Sequence, residues 1–249
     1  MIDSQKLKEI SKLSGLRPWH QEKHYLQSII LSIVSDFPLV FKGGTYLWFF
    51  HGLNRFSEDL DFTATGSIKE EFSDYISRSL KLYGFRNELK VFKNDNLGLS
   101  TRFVINGPLN TNDRDRCVIY VEISKRESAL LPKVPLKLDL PQYDIPVKRI
   151  LGMNLNEVSA EKTRAILTRE KGRDIYDLYF LVHRKGVVFD KELINKKLDF
   201  YKIEFDSSIF LETLRGREKL YLRELKPLIL GELPAFDTVC DELEKWIQR

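Results

Sequence analysis

Apolar positions recur every three to four residues over 4–13 and 18–36, break into short continuous or alternating runs through the middle of the chain, and return to helical spacing after residue 155. The first two segments therefore read as helices. The second opens with Pro18 near its first position, sets Tyr25, Ile29, Ile30 and Ile33 on one stripe, and is stopped by Pro38. From Leu39 to Thr63 (LVFKGGTYLWFFHGLNRFSEDLDFT) a short apolar run meets a Gly-Gly turn, an aromatic segment and a second apolar run. This order reads as strand, turn, short helix and strand. Ser67 is placed to cap a helix that ends at Gly84, and extended segments are expected over 88–93, 99–105 and 117–123. Pro132, Pro135, Pro141 and Pro146 make 131–150 a region of edge segments and turns. Helices are then expected over 156–170, 173–185, 191–201, 207–225 and 235–248.

The change of pattern near Gly152 divides the chain into an α+β domain, 1–151, with a small mixed sheet, and a mainly helical C-terminal domain, 152–249. Composition sharpens this only slightly. The 43% hydrophobic and 31% charged residues belong to a globular protein, and no apolar run approaches the about 20 residues needed to cross a bilayer. A segment such as MIDSQKLKEI has no signal-peptide core, so a cytoplasmic location is expected, with no membrane partner. Cys117 and Cys240 lack metal-ligand spacing and read as packed thiols. The net charge of +4 permits a nucleic-acid partner without requiring one.

Chemistry concentrates in the 39–63 stretch. Adjacent glycines at a strand end let backbone approach a ligand closely, and a helix beginning there aims free N–H groups at an anion, so Gly43, Gly44 and Thr45, with Lys42 beside them, suit a phosphate. Asp59 and Asp61 lie two apart in an extended run and leave the same face. Crowded carboxylates favour a cation between them, and hard oxygen donors suit Mg2+, an ion that also binds phosphates. Glu122 is the single carboxylate in the otherwise apolar run VIYVEI, where it either faces solvent or joins a charged site, and Asp139 in LKLDLP is its rival as a third acid. His20 and His24, spaced by one helical turn, have no third ligand near them in sequence and read as exposed helix residues. Further on, AEK and RDIYDLY carry Lys162, Asp174 and Asp177 on consecutive helices, Asp174 and Asp177 sharing a face.

GGT, a spacer and RFSEDLDF resemble the first motif of the polymerase β-like minimal nucleotidyltransferases, and AEK followed by R-D-x-Y-D-L-Y resembles the second signature of the AbiEii/AbiGii toxins, the family that includes the MenT-like enzymes. VEISKRE is similar to the third acidic segment, with Glu122 where Asp is more usual. The resemblance covers roughly residues 39–185 and implies a nucleotidyltransferase that moves a nucleoside monophosphate from an NTP to a hydroxyl, releasing pyrophosphate. In that scheme Asp59, Asp61 and Glu122 hold Mg2+, and Gly43, Gly44, Thr45, Arg55, Ser57, Lys162 and the less certain Lys42 receive the triphosphate. Lys162 and Asp174 or Asp177 complete the catalytic set, the helical domain contributing to the nucleotide cleft. The implied acceptor is the 3′ end of a tRNA, approached along Lys125, Arg126, Arg164, Arg169, Lys171 and Arg173. The implied partner is a separately encoded antitoxin, not necessarily in a stable complex. A small-molecule or protein acceptor, and a non-catalytic nucleotide- or RNA-binding protein, are the alternative readings.

Overall fold

The computed structural model describes residues 2–249, which form ten α-helices and seven strands. Contacts group the chain into two units: Met1–Tyr46 with Glu58–Gly152, and Leu47–Ser57 with Met153–Arg249.

In the first unit, α1 (Ser4–Ser14) starts on Asp3, whose carboxylate accepts from the Lys6 N–H at 2.8 Å, and stops at Gly15 in the left-handed region. Helix α2 (Pro18–Val34) has Pro at its first turn and buries Tyr25, Leu26, Ile29 and Ile30 fully. Strand β1 (Leu39–Lys42) runs into α3 (Gly43–His51), and β2 (Leu60–Ala64) returns antiparallel beside β1. Helix α4 (Phe72–Leu82) begins five residues after Ser67, so that Ser67 caps nothing and 67–71 lie outside the helix. Strands β3 (Asn87–Asn94), β4 (Gly98–Ile105), β5 (Cys117–Ser124), β6 (Val134–Leu138) and β7 (Lys148–Gly152) complete one mixed sheet in the order β3-β4-β5-β2-β1-β7-β6. Strand β7 is therefore interior, parallel to β1, and only β6 of the proline-rich region is an edge. Prolines 141 and 146 lie between the two strands, where no ladder donor is needed.

One sheet face is apolar. Leu99, Phe103, Ile119, Val121, Ile123, Leu60 and Phe62 are buried there, and α4 packs on it through Ser73 Oγ, 2.6 Å from Thr101 Oγ1. The other face carries the even-numbered residues of β4 and β5.

The second unit is built on α5 (Leu155–Thr168) and α6 (Gly172–Lys185), with α7 (Lys191–Leu198), α8 (Ser207–Arg215), α9 (Glu218–Leu225) and α10 (Phe236–Ile247) around them. The single helix expected over 207–225 is two: Gly216 and Arg217 close the end of α8 by bonding to Glu212 and Leu214 carbonyls. Gly172 lets α6 meet α9 closely, since a Cβ there would lie 2.7 Å from the Tyr221 Cα. Segment 47–57 belongs here because its residues bond to this unit: the Phe56 N–H donates to Leu228 O at 2.9 Å, and Arg55 bridges to Ile229. No helix among the described residues is long and apolar enough to cross a membrane.

Candidate functional site

The end of β1 and the start of α3 are shaped around Asp61. Gly43 has φ +78°, a conformation L side chains rarely adopt, and a Cβ there would lie 3.0 Å from both Cβ and Cγ of Asp61. The glycine is thus needed twice, for the turn and for the room the carboxylate occupies. Strand register sets Lys42 opposite Asp61 on one side and Glu122 opposite Asp61 on the other, so that three charged side chains form one row on the face opposite Phe62 and Ile123. Lys42 is buried, Asp61 is half-buried and Glu122 is exposed. Asp139 is remote from this row: it follows β6 at the far edge of the sheet and pairs with Lys137 at 2.5 Å.

Asp59 lies one residue before β2, and the loop that carries it is pinned from two helices. Thr45, in the first turn of α3, donates its hydroxyl to the Asp59 carbonyl. On α2, Gln27 Nε2 donates to the Glu58 carbonyl and Lys23 Nζ to the Glu58 carboxylate, each at 2.8 Å. Thr45 is fully buried, so its hydroxyl, expected on the triphosphate, is used to fix the acidic loop. Lys23 and Gln27 had a sequence signal in their i, i+4 spacing on α2, but nothing in the chain pointed to the loop they hold.

Among the described residues no group of three or more His, Cys, Asp or Glu side chains is arranged to hold a metal ion. A Mg2+ ion does not require one, because it commonly binds through one or two carboxylates together with substrate phosphates and water. The hard oxygens of Asp59 and Asp61 at a strand end, beside a helix whose first N–H groups lack intrahelical acceptors, fit that mode. His20 and His24 are not exposed as expected. His20 is buried, and His24 Nδ1 lies 2.6 Å from Tyr143 Oη, with burial pushing the His24 pKa down to about 4.

Within the helical unit, Arg55, Lys162, Asp174 and Asp177 make one buried ion network. Arg55 grips Asp177 with two parallel bonds, Nε and Nη2 each 2.6 Å from a carboxylate oxygen, and Nη1 donates to Phe56 O at 3.1 Å. Lys162 Nζ bridges Asp177 Oδ2 at 2.6 Å and Asp174 Oδ1 at 2.8 Å. Arg169, which the sequence offered only as part of a basic track, binds Asp174 through Nε and Nη2 at 2.8 and 2.9 Å. Asp174 and Asp177 are 2% and 0% exposed. Burial alone would raise their pKa values, but Lys162 with Arg169 at Asp174, and Arg55 with Lys162 at Asp177, outweigh it and hold both carboxyls below the usual range. Burial likewise works against charge on Lys162 and is overcome by Asp174 and then Asp177. Ser57 is buried at the end of the 47–57 segment.

The expected basic track is mostly engaged elsewhere. Arg164 is buried with its guanidinium 6.0 Å from the Tyr201 ring, Arg173 Nε faces Glu224 at 3.8 Å, and Lys125 Nζ is 3.1 Å from Asn94 Oδ1. Lys171 precedes α6 as its N-cap.

Residues 29–242 match the model of the family described as "Nucleotidyl transferase AbiEii toxin, Type IV TA system". Among solved structures, MenT4, a nucleotidyltransferase toxin from Mycobacterium tuberculosis H37Rv, is similar with a TM-score of 0.67 at 19% identity, over 97% of this chain and 88% of that one. JHP933 from Helicobacter pylori is similar with a TM-score of 0.64 at 21% identity, over 92% and 90% of the two chains. At these identities the likeness is one of fold. No curated protein matches the sequence.

Proposed function

The chain belongs to the AbiEii family of nucleotidyltransferase toxins, and on that premise we propose that it transfers a nucleoside monophosphate from an NTP to the 3′-terminal hydroxyl of a tRNA. The observation that carries this reading is the packing of the Asp61 carboxylate against Gly43, with Lys42 and Glu122 in register on either side. A phosphate-binding turn and an acidic strand end are thereby one object.

In this reading the backbone N–H groups of Gly43, Gly44 and Thr45 receive the triphosphate at the start of α3. Asp59 and Asp61 would hold Mg2+, with Glu122 as the third acid; such an ion, when bound, would supply neutralisation of phosphate charge and a lowered pKa for the acceptor hydroxyl. The hydroxyl oxygen attacks the α-phosphorus, its proton leaves to solvent, a new phosphodiester bond forms and the α–β bridge breaks to release pyrophosphate. Within the helical unit Arg55, Asp174 and Asp177 keep Lys162 charged and fixed; its ammonium is the phosphate partner that the family resemblance implies. The antitoxin that a toxin of this family implies is separately encoded, without need of a lasting complex.

The test is incubation of the purified protein with each labelled NTP, Mg2+ and total RNA. Label on RNA of tRNA size, with pyrophosphate released in equal amount, is the expected result. Asp61→Asn should lower transfer by about 10²-fold or more while the melting temperature stays near that of the parent, as for loss of one preorganised electrostatic group. Label found only on protein or a small metabolite would remove the tRNA acceptor and leave the transfer chemistry. A fully active Asp61→Asn would remove the site.

A further inference from the structure

The sheet face that carries Asp61 and Glu122 does not end with them. Register continues their row outward through Ser100 on β4 to Lys93 on β3. The neighbouring row on the same face, two residues along each strand and so about 7 Å away, is Tyr120, Arg102 and Lys90. Between the two rows β3 shifts register between Val91 and Lys93, and Phe92 is the extra residue. Its ring is not buried by the irregularity: Phe92 is 53% exposed. It lies with Lys90 Nζ 5.1 Å and Arg102 Cζ 5.6 Å from its centroid, and its ring centre is 6.3 Å from that of Tyr120.

A large aromatic held in the open by two cations and a second ring is costly for a surface with no partner, since it exposes apolar area to water. The same arrangement is what a single-stranded polynucleotide requires: a ring on which a base can stack, cations for the adjoining phosphates, and a stretch of sheet face on which Ser100, Arg102 and Tyr120 are half-buried and Glu122 is exposed. Arg102 is half-buried, and its Nε has no hydrogen-bond partner within the protein.

We propose that the β3-β4-β5 face is a stacking platform for the single-stranded end of a polynucleotide acceptor, with Phe92 and Tyr120 receiving a base and Lys90, Arg102 and Lys93 its flanking phosphates. The inference rests on the transferase reading for the word acceptor, but the binding surface is defined without it. The platform row adjoins the carboxylate row, so a strand stacked on Phe92 that crosses β4 and β5 leads to Asp61 on β2.

Anisotropy titrations of the full chain with a fluorescein-labelled 12-nucleotide single-stranded RNA, the DNA of the same sequence and a duplex RNA test this, without NTP and at two salt concentrations. Phe92→Ala should weaken single-strand binding by about tenfold or more, the order of one lost stacked base, with duplex binding little changed and affinity restored in Phe92→Trp. The RNA and DNA arms show whether the 2′-hydroxyl contributes. In transfer assays Phe92→Ala should raise the KM for RNA and leave kcat unchanged. Wild-type affinity in Phe92→Ala, absence of single-strand binding by the parent chain, or a Phe92 dependence seen only in self-association or protein binding would each overturn the platform. Phe92-dependent binding without any transfer would instead leave the platform standing and remove the transferase reading.

Discussion

The molecule holds two sets of acidic residues, one in the sheet and one on α6, and treats them in opposite ways. Around Gly43, Asp61 is half-buried and Glu122 exposed, and their positions are set by strand register and by backbone bonds to the neighbouring loop. On α6, Asp174 and Asp177 are sealed from solvent and each accepts from two cations. The first set keeps part of its surface in solvent. The second has its charge balanced within the protein, so its function is to fix the cations around it. Proximity of carboxylates in the sequence therefore does not say how deeply they are buried, and the cations packed against them decide how a buried pair stays charged.

That comparison can be broken at several points. The largest effect is expected at Arg55→Ala, which strands the buried Asp177 carboxylate with Lys162 alone. Loss of one partner of a buried ion pair costs about 3–5 kcal/mol, read as a fall in the denaturant midpoint. Asp61→Asn should show no comparable loss. If Arg55→Ala were as stable as the parent, the helical network would be decorative and the contrast would fail.

Acid should separate the two sets next. Asp174 and Asp177 have folded pKa values held below those of the unfolded chain. Their stabilisation is complete above the unfolded value near about 4 and is lost as the pH falls through the folded values, by at most about 1.4 kcal/mol per pH unit for each group. Unfolding followed from pH 6 down to pH 2 should lose stability most steeply below pH 4, and Arg55→Ala should flatten that slope. An unchanged slope would show that the cations do not control these carboxyls.

A smaller loss of stability than that of Arg55→Ala belongs to Gly43→Ala. The left-handed backbone costs an L residue about 1–2 kcal/mol, and the added methyl displaces the Asp61 carboxylate. Transfer should fall far more than stability does. Equal losses of both would mean that Gly43 serves the fold alone.

The sequence made some of this legible and hid the rest for physical reasons. Pro18 and Pro38 bracketed α2 because proline acts on its own backbone, and GGT with DLD announced a turn and an acidic strand because both are local. The break in 207–225 was missed because Gly216 has ordinary helical angles, and what ends α8 is its bonding to the preceding turn. The facing of Asp61 and Glu122 needs β5 to lie beside β2, a non-local pairing that no alternation of apolar residues specifies. Histidines 20 and 24 read as exposed because helical spacing does not say which face another element will cover.

The pairing of Arg55 with Asp177 also has a consequence in time. The two residues are 122 positions apart, and at about 5–20 residues per second of synthesis the arginine is made roughly 6 to 24 seconds before its counter-ion. Until α6 emerges, segment 47–57 has no partner for its guanidinium and cannot settle, although the residues on both sides of it belong to the sheet unit. A nascent chain interrupted after Gly152 would therefore carry the glycine turn and all three acids of the sheet, yet lack Lys162 and the carboxylates that fix it. Translation of such a protein gives no partial product with the buried ion network, which assembles only once α6 has been made.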